Sequence, residues 1–296
     1  MNSKILFISH TYPPIVGGVE NQNYELYTWL SKIAEVKLIA NKKRWLIPFF
    51  LPYASVRALF SIRKYDAVLL GSGILANVAW LLKLFSNKPI ISVAHGLELT
   101  WDNYLYQKLW INIFIRKIDK FICVGQETVR IGKEIGIPES KLVFIPNAID
   151  TEKFFNPCAR EKLKNIVKID VIGNKFILTS GRLAKRKGAA WFCRNVMPNL
   201  PKNYFYVIAG DGADRENIEA AIKEKNLAGR VMTLGYVTDE VRDTLFNTCD
   251  LFVQPNIKTP GDMEGFGISV IEAASCQIPV AASAIEGLKD AIKDGQ

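Results

Sequence analysis

Eleven short, unbroken apolar runs, separated by longer segments of helical period, extend over almost the whole chain. The runs lie at 5–9, 36–40, 67–70, 90–94, 121–124 and 143–145, and then at 176–179, 205–209, 231–234, 251–254 and 280–282. Continuous rather than alternating hydrophobicity marks strands covered on both faces, as in a parallel sheet. The intervening segments 19–33, 76–85, 104–117, 127–135, 190–200, 215–225, 240–249 and 268–276 read as helices. Such alternation predicts an α/β fold of doubly wound domains. The rhythm lapses from Pro146-Asn147-Ala148-Ile149-Asp150 to Gly173 and resumes at Phe176. A chain of 296 residues also exceeds what one core usually serves. Two domains are therefore expected, 1–155 and 156–296.

Composition narrows the function classes. Apolar residues at 49% and charged residues at 23% exclude a disordered chain. The net charge of +9 is uneven. Residues 1–150 hold 18 Lys/Arg against 11 Asp/Glu, and residues 151–296 hold 20 against 18, so the excess is +7 and then +2. A basic half suits nucleic acid, an anionic membrane surface or a phosphorylated substrate, and equally a surface that is merely solvated. Cys123, Cys158, Cys193, Cys249 and Cys276 are scattered, which suggests neither a zinc site nor a disulfide framework and points to a reducing compartment. The apolar start, Ile5 to Ile8, is too short for a signal-peptide core, so a cytoplasmic location is expected. The longest uncharged run, 67–82, falls short of the roughly 20 residues that span a bilayer.

Four places carry residue types suited to chemistry. Gly17-Gly18 follows the first strand and precedes a helix, where free N–H groups and the positive end of the dipole can meet a phosphate, although a simple turn explains the pair as well. Ser180 to Gly188 follows the first strand of the second half, at the edge where parallel sheets gather ligands. There Arg182 offers a bidentate grip on phosphate and Lys187 a point charge, against the alternative of a solvated run. The block from Glu264 to Ser275 contains Gly265-Phe266-Gly267, opens a helix at Ile268, and sets two carboxylates, Glu264 and Glu272, eight residues apart. Glu272 can equally be a solvent-facing helix residue. His95-Gly96 ends a strand in the first half, where the imidazole either meets a ligand or bonds the backbone.

Taken together with Pro146-Asn147-Ala148-Ile149-Asp150 and Gly210-Asp211-Gly212, these segments resemble glycosyltransferase family 4 over nearly the whole chain and in the family's order. The resemblance implies the GT-B fold: two Rossmann-like domains facing across a cleft, the first on the acceptor side and the second binding the nucleotide sugar. The second would be incomplete, because similar enzymes continue past Gln296. It implies a retaining hexosyltransferase using a nucleotide-diphosphate sugar as co-substrate, with a glycan or lipid-linked acceptor, in cell-envelope polysaccharide or glycolipid synthesis. Arg182 and Lys187 would then neutralise the diphosphate, approached by Gly17 and Gly18. The N–H groups of Phe266, Gly267 and Ile268 would complete the anion site, Glu272 would hold the ribose, and Glu264 and His95 would lie near the sugar.

Fixed cations aimed at a departing diphosphate lower the barrier to breaking the sugar–phosphate bond, so no metal cofactor is expected, and no Asp-x-Asp pair occurs. A sugar-nucleotide epimerase or phosphorylase of the same fold is one alternative. A non-catalytic nucleic-acid-binding module is another, but it leaves the ordered motifs unexplained, and no nucleic-acid partner is expected. Lys42-Lys43-Arg44 ahead of the apolar segment 45–53, with Arg57, Arg63 and Lys64 beyond it, makes an anionic membrane a candidate partner and the inner face of the plasma membrane a candidate location. A core-facing segment with solvated charges would look the same in sequence.

Overall fold

The computed structural model describes residues 3–154 and 160–295, and the chain divides into two compact units, Met1–Asn147 and Ala148–Gln296. The boundary expected between 155 and 156 lies outside the described residues, as does Cys158. The division falls at Asn147 and Ala148 because the short helix Thr151–Phe154 packs against the helix Ile268–Ser275 of the second unit.

The first unit is a six-stranded sheet of β1 (Lys4–Ser9), β2 (Glu35–Ala40), β3 (Ala67–Leu70), β4 (Ile90–Ala94), β5 (Lys120–Cys123) and β6 (Leu142–Phe144), in the order β2-β1-β3-β4-β5-β6. The second has five strands, β7 (Lys175–Ser180), β8 (Tyr204–Ala209), β9 (Val231–Gly235), β10 (Leu251–Gln254) and β11 (Val280–Ala282), in the order β11-β10-β7-β8-β9. Every pairing between strands is parallel. Both chain orders reverse once, between β1 and β3 in the first sheet and between β7 and β10 in the second. At such a reversal the loops after the two neighbouring strands diverge to opposite faces and leave a crevice at the carboxyl edge.

Burial explains the uniform apolar runs. In β7, Phe176 and Leu178 join Phe246 and Phe252 in one core, while Ile177 between them joins Tyr206 and Ile208 in another. Leu6, Phe7 and Ile8 of β1 are likewise fully buried, on alternate faces of the first sheet. All eleven expected strands form, four of them with unchanged bounds.

The helices depart further from expectation. The helix expected over 104–117 begins as Tyr104–Tyr106, capped by Asn103 Oδ1 accepting from the Tyr106 N–H at 3.1 Å. It widens into π geometry over Gln107–Phe114 and tightens into a 3-10 turn at Ile115–Lys117. Along it Tyr106 stacks on Trp110, with centroids 5.7 Å apart, and Trp110 meets Phe114 edge to face at 5.0 Å. The helices of the first unit include α1 (Gly18–Leu30), α2 (Ile47–Ser61) and α3 (Ala76–Lys83). Helix α2 covers a segment that the sequence marks only as apolar and aromatic between cations, and it contains Pro48 and Pro52. Pro48 lies in the first turn, where a missing N–H costs little, and both prolines are exposed, so the carbonyl that Pro52 leaves unpaired can be solvated.

Asp250, just before β10, ties the second sheet together. It accepts from Arg160 at 2.7 and 3.1 Å, from Lys175 at 3.0 Å and from the Phe176 N–H of neighbouring β7 at 2.8 Å. Burial alone would raise its carboxyl, but these donors outweigh it and hold the group below its ordinary range. Asp250→Ala is expected to destabilise the second unit by about 1–3 kcal/mol, read from urea denaturation, because the Phe176 N–H and the half-buried Arg160 guanidinium lose their acceptor.

Candidate functional site

In the second unit the loops after β7 and β10 meet at the reversal of strand order. They approach closely because position 188 is glycine. Gly188 has φ 69°, and a Cβ there would stand 1.8 Å from the Pro255 carbonyl oxygen. The Ile257 N–H donates to the Arg186 carbonyl at 2.8 Å, a second tie between the loops. Lys185–Lys187 forms a 3-10 turn that leaves Lys185 exposed and turns Arg186 inward, 6% exposed.

That turn delivers two cations to one carboxylate. Glu264 Oε2 lies 2.5 Å from Arg186 and 2.6 Å from Lys187 Nζ, and it accepts from Gln254 Nε2 and Asn256 Nδ2, each at 3.2 Å. Arg186 also reaches Asp262 at 2.9 Å. Burial would raise the Glu264 carboxyl; Lys187 and Arg186 outweigh it and hold the group at about 2. Burial pulls the Lys187 ammonium down, against the attraction of Glu264. The backbone is fixed as well, with the Glu264 N–H donating to Glu286 Oε2 at 2.7 Å and the Gly287 N–H donating to the Glu264 carbonyl at 3.0 Å.

The expected helix start lies beside this ion cluster. Gly267 caps the helix Ile268–Ser275 with φ 90°, and a Cβ there would meet Leu288 at 2.4 Å. Ser269 Oγ donates to Gln254 Oε1 at 2.7 Å, linking the first helical turn through Gln254 to Glu264. Phe266 is buried, so its ring serves packing while its backbone stays in the loop. Glu272 is partly exposed two turns along. Arg182 is exposed in the loop after β7 and forms no ion pair among the described residues. The structure therefore joins Lys187 directly to Glu264 and sets Gly267 beside them.

The remaining expected residues belong to the first unit, again around a reversal of strand order. Gly17 and Gly18 begin α1, and the Glu20 carboxylate in the first helical turn folds back over Gly17. The carboxylate accepts from Thr11 Oγ1 at 2.6 Å and faces Arg44 at 3.8 Å. The N-terminus of α1 thus has a carboxylate of its own beside it. His95 follows β4; its N–H donates to Glu98 Oε1 at 2.7 Å, and its Nε2 lies 3.0 Å from the Gly71 carbonyl. A carbonyl only accepts, so Nε2 carries the proton. His10 is buried nearby with Nδ1 unpartnered among the described residues, and burial, with a smaller contribution from His95, lowers it to about 4. It is neutral at neutral pH. Among the described residues no group of three His, Cys, Asp or Glu could hold a metal ion.

Comparison with known proteins fits both units. The family model for glycosyltransferase family 4 matches residues 16–153, and that for glycosyl transferases group 1 matches residues 161–296. The chain belongs to the family 4 glycosyltransferases. It is 28% identical over 254 residues to the Escherichia coli UDP-Gal:alpha-D-GlcNAc-diphosphoundecaprenol alpha-1,3-galactosyltransferase, covering 81% of this chain but only 63% of that enzyme's length. It is 21% identical to the GDP-mannose-dependent alpha-(1-6)-phosphatidylinositol monomannoside mannosyltransferase of Mycolicibacterium smegmatis, over 99% of this chain and 83% of that one. Among solved structures, Anabaena HepE in complex with UDP and glucose superposes with a TM-score of 0.76 at 19% identity, over 99% of this chain and 84% of that one. The fold is GT-B.

In this family 4 chain, three parts of the two sites went unforeseen. Arg186 was hidden inside the run Lys185-Arg186-Lys187, whose composition does not say which cation turns inward. Asn256 and Gln254 carry no spacing signal; they join Glu264 because the segment after β10 folds back on the end of that strand. His10 sits within Ser9-His10-Thr11, directly after β1, and the end of a central strand was the available clue.

Replacing Glu264 tests the ion cluster. Glu264→Gln leaves the buried Lys187 ammonium without a counter-charge and Arg186 with Asp262 alone, and should cost about 3–5 kcal/mol. In the parent, a carboxyl depressed to about 2 contributes stability that is complete above its ordinary pKa and disappears as pH falls from there toward 2. Urea denaturation between pH 6 and 3 should therefore show a steeper acid loss for the parent than for Glu264→Gln.

Proposed function

We propose that this family 4 glycosyltransferase moves a hexose, with retention of anomeric configuration and without a metal, from a nucleotide-diphosphate sugar to a lipid-linked or glycolipid acceptor. Its working place is the cytoplasmic face of the membrane that holds the acceptor. The observation that carries the reading is the pairing of Lys187 with Glu264 beside the helix N-terminus at Gly267, at the crevice where β7 and β10 part. An ammonium has three donors, so Lys187 can hold Glu264 and still meet a phosphate. Exposed Arg182 is placed to add a bidentate contact on the same edge. With the N–H groups of Phe266, Gly267 and Ile268, these make a fixed positive environment for a diphosphate, and its attraction grows as negative charge builds on the leaving group.

The state of Glu264 supports the part of this reading that assigns no protein nucleophile. Held at about 2 and shared between two cations, it serves as a counter-ion and is a poor nucleophile. The acceptor hydroxyl then attacks the face from which the diphosphate departs, and a phosphate oxygen takes its proton. Glu272 holds the ribose, and His95, with Nε2 fixed to the Gly71 carbonyl, offers Nδ1 to a sugar hydroxyl. The E. coli and mycobacterial relatives, named for a diphosphoundecaprenol-linked and a phosphatidylinositol acceptor, support a lipid-bound acceptor. The UDP in HepE supports a nucleotide donor.

The test combines calorimetry with UDP and GDP and transfer rates from a panel of nucleotide sugars. Lys187→Ala should lower turnover by roughly 2–4 kcal/mol in barrier, whereas Glu272→Ala should weaken nucleotide binding more than saturated turnover. His95→Ala should impair transfer with nucleotide affinity nearly unchanged. Activity should survive EDTA, and the product should keep the donor's anomeric configuration by NMR. Parent-like binding and turnover in Lys187→Ala would place the diphosphate elsewhere.

A further inference from the structure

Helix α2 buries one face and leaves a second apolar face uncovered. Phe50, Ala54, Ala58 and Ile62, four residues apart, are buried, and Ser55 accepts a hydrogen bond from Asn77 of α3 at 3.2 Å. The helix is thereby fixed flat on the first unit. On its outer side, Trp45, Phe49, Tyr53, Val56 and Phe60 recur at steps of four, four, three and four, the spacing of a single helical stripe. Trp45 and Phe49 are each 69% exposed and Phe60 is 82% exposed. An exposed stripe of large aromatics costs solubility unless something covers it.

Charge says what covers it. Residues 41–65 contain six Lys/Arg and no Asp/Glu. Lys42 and Lys43 stand before the helix, Arg57 lies within it, and Arg63 and Lys64 stand beyond it; these five form no ion pair among the described residues. Aromatic side chains between clusters of unpaired cations match the interfacial region of a bilayer, where rings enter the headgroup boundary and cations meet anionic lipid. The segment Arg44–Lys64 is long and apolar enough to cross a membrane. Its packed inner face, however, would have to leave the first unit for it to do so.

We infer that the outer face of α2, with its flanking cations, is a docking surface for an anionic phospholipid bilayer, on which the helix lies parallel to the membrane plane. The inference deepens the lipid-acceptor reading, and it rests on that reading only for its purpose, which is to hold the enzyme at the surface where such an acceptor resides. The physical argument uses the first unit alone.

Flotation with phosphatidylcholine vesicles containing either no phosphatidylglycerol or 30% phosphatidylglycerol tests it without donor or acceptor. The parent should float with the anionic vesicles, lose binding as salt is raised, and be released by alkaline carbonate. Quenching of Trp45 by brominated lipid, lost in Trp45→Phe, should place the stripe in the interface. Replacing Lys42, Lys43 and Arg63 by Ser should weaken binding by about a hundredfold, and Phe49→Ser with Phe60→Ser should abolish it; unchanged far-UV circular dichroism would show both variants folded. Lys187→Ala, altered in the other unit, should float like the parent, so lost transfer and lost docking are read separately. Binding indifferent to lipid charge, resistance to carbonate extraction, or a dimer in sedimentation that dissociates in Phe49→Ser while vesicles stay unbound would each overturn the inference.

Discussion

Parallel pairing of every strand is the constraint on which both units depend. A strand that must run the same way as its neighbour has to be reached by a crossover, so every loop that follows a strand collects at one edge of the sheet. The crossover helices cover both faces, which is why the strands are apolar throughout and why polar chemistry is confined to that edge. Each sheet reverses its winding once, and each reversal opens a crevice there. Ser9, His10, Thr11 and Gly17 gather at the first; Lys187, Asn256 and Glu264 gather at the second.

Within the second crevice, the carboxylate of Glu264 organises what surrounds it. A buried carboxylate is tolerated only when opposite charge and hydrogen-bond donors exceed its desolvation cost, and here two cations and two amides do so. Because Arg186 and Lys187 come from the loop after β7 while Gln254 and Asn256 come from the end of β10, the same contacts fix both loops. The site is rigid through the charge it holds. Glycine at 188 and 267 removes the side chains that would keep these loops apart. The first crevice is organised differently, by neutral groups and by Glu20 folded onto the start of its own helix.

Legibility in the sequence follows the range of the interaction. Strands were read with nearly their observed bounds because burial on both faces imprints a local pattern. The segment that forms α2 stands in the sequence only as an apolar, aromatic stretch between cations, and it accommodates Pro48 and Pro52 because both are exposed to solvent. The π geometry of Gln107–Phe114 left no mark in hydrophobic period. Likewise, Gly188 was seen as the end of a basic run, while its reason, the carbonyl of Pro255 pressed against it, lies 67 residues along the chain.

The sequence by itself determined two α/β units, the strands and their edge, and the segments that carry ligand chemistry, since each is written in periodicity or in short spacing. Tertiary structure alone decided which charges meet. It turned Arg186 inward and left Arg182 at the surface, gave Lys187 and Glu264 to each other, placed a neutral His10 beside His95, and left the aromatic side of α2 uncovered. Those outcomes depend on which strands lie next to each other and which helix face finds a partner, and residues far apart in sequence encode neither in any local pattern.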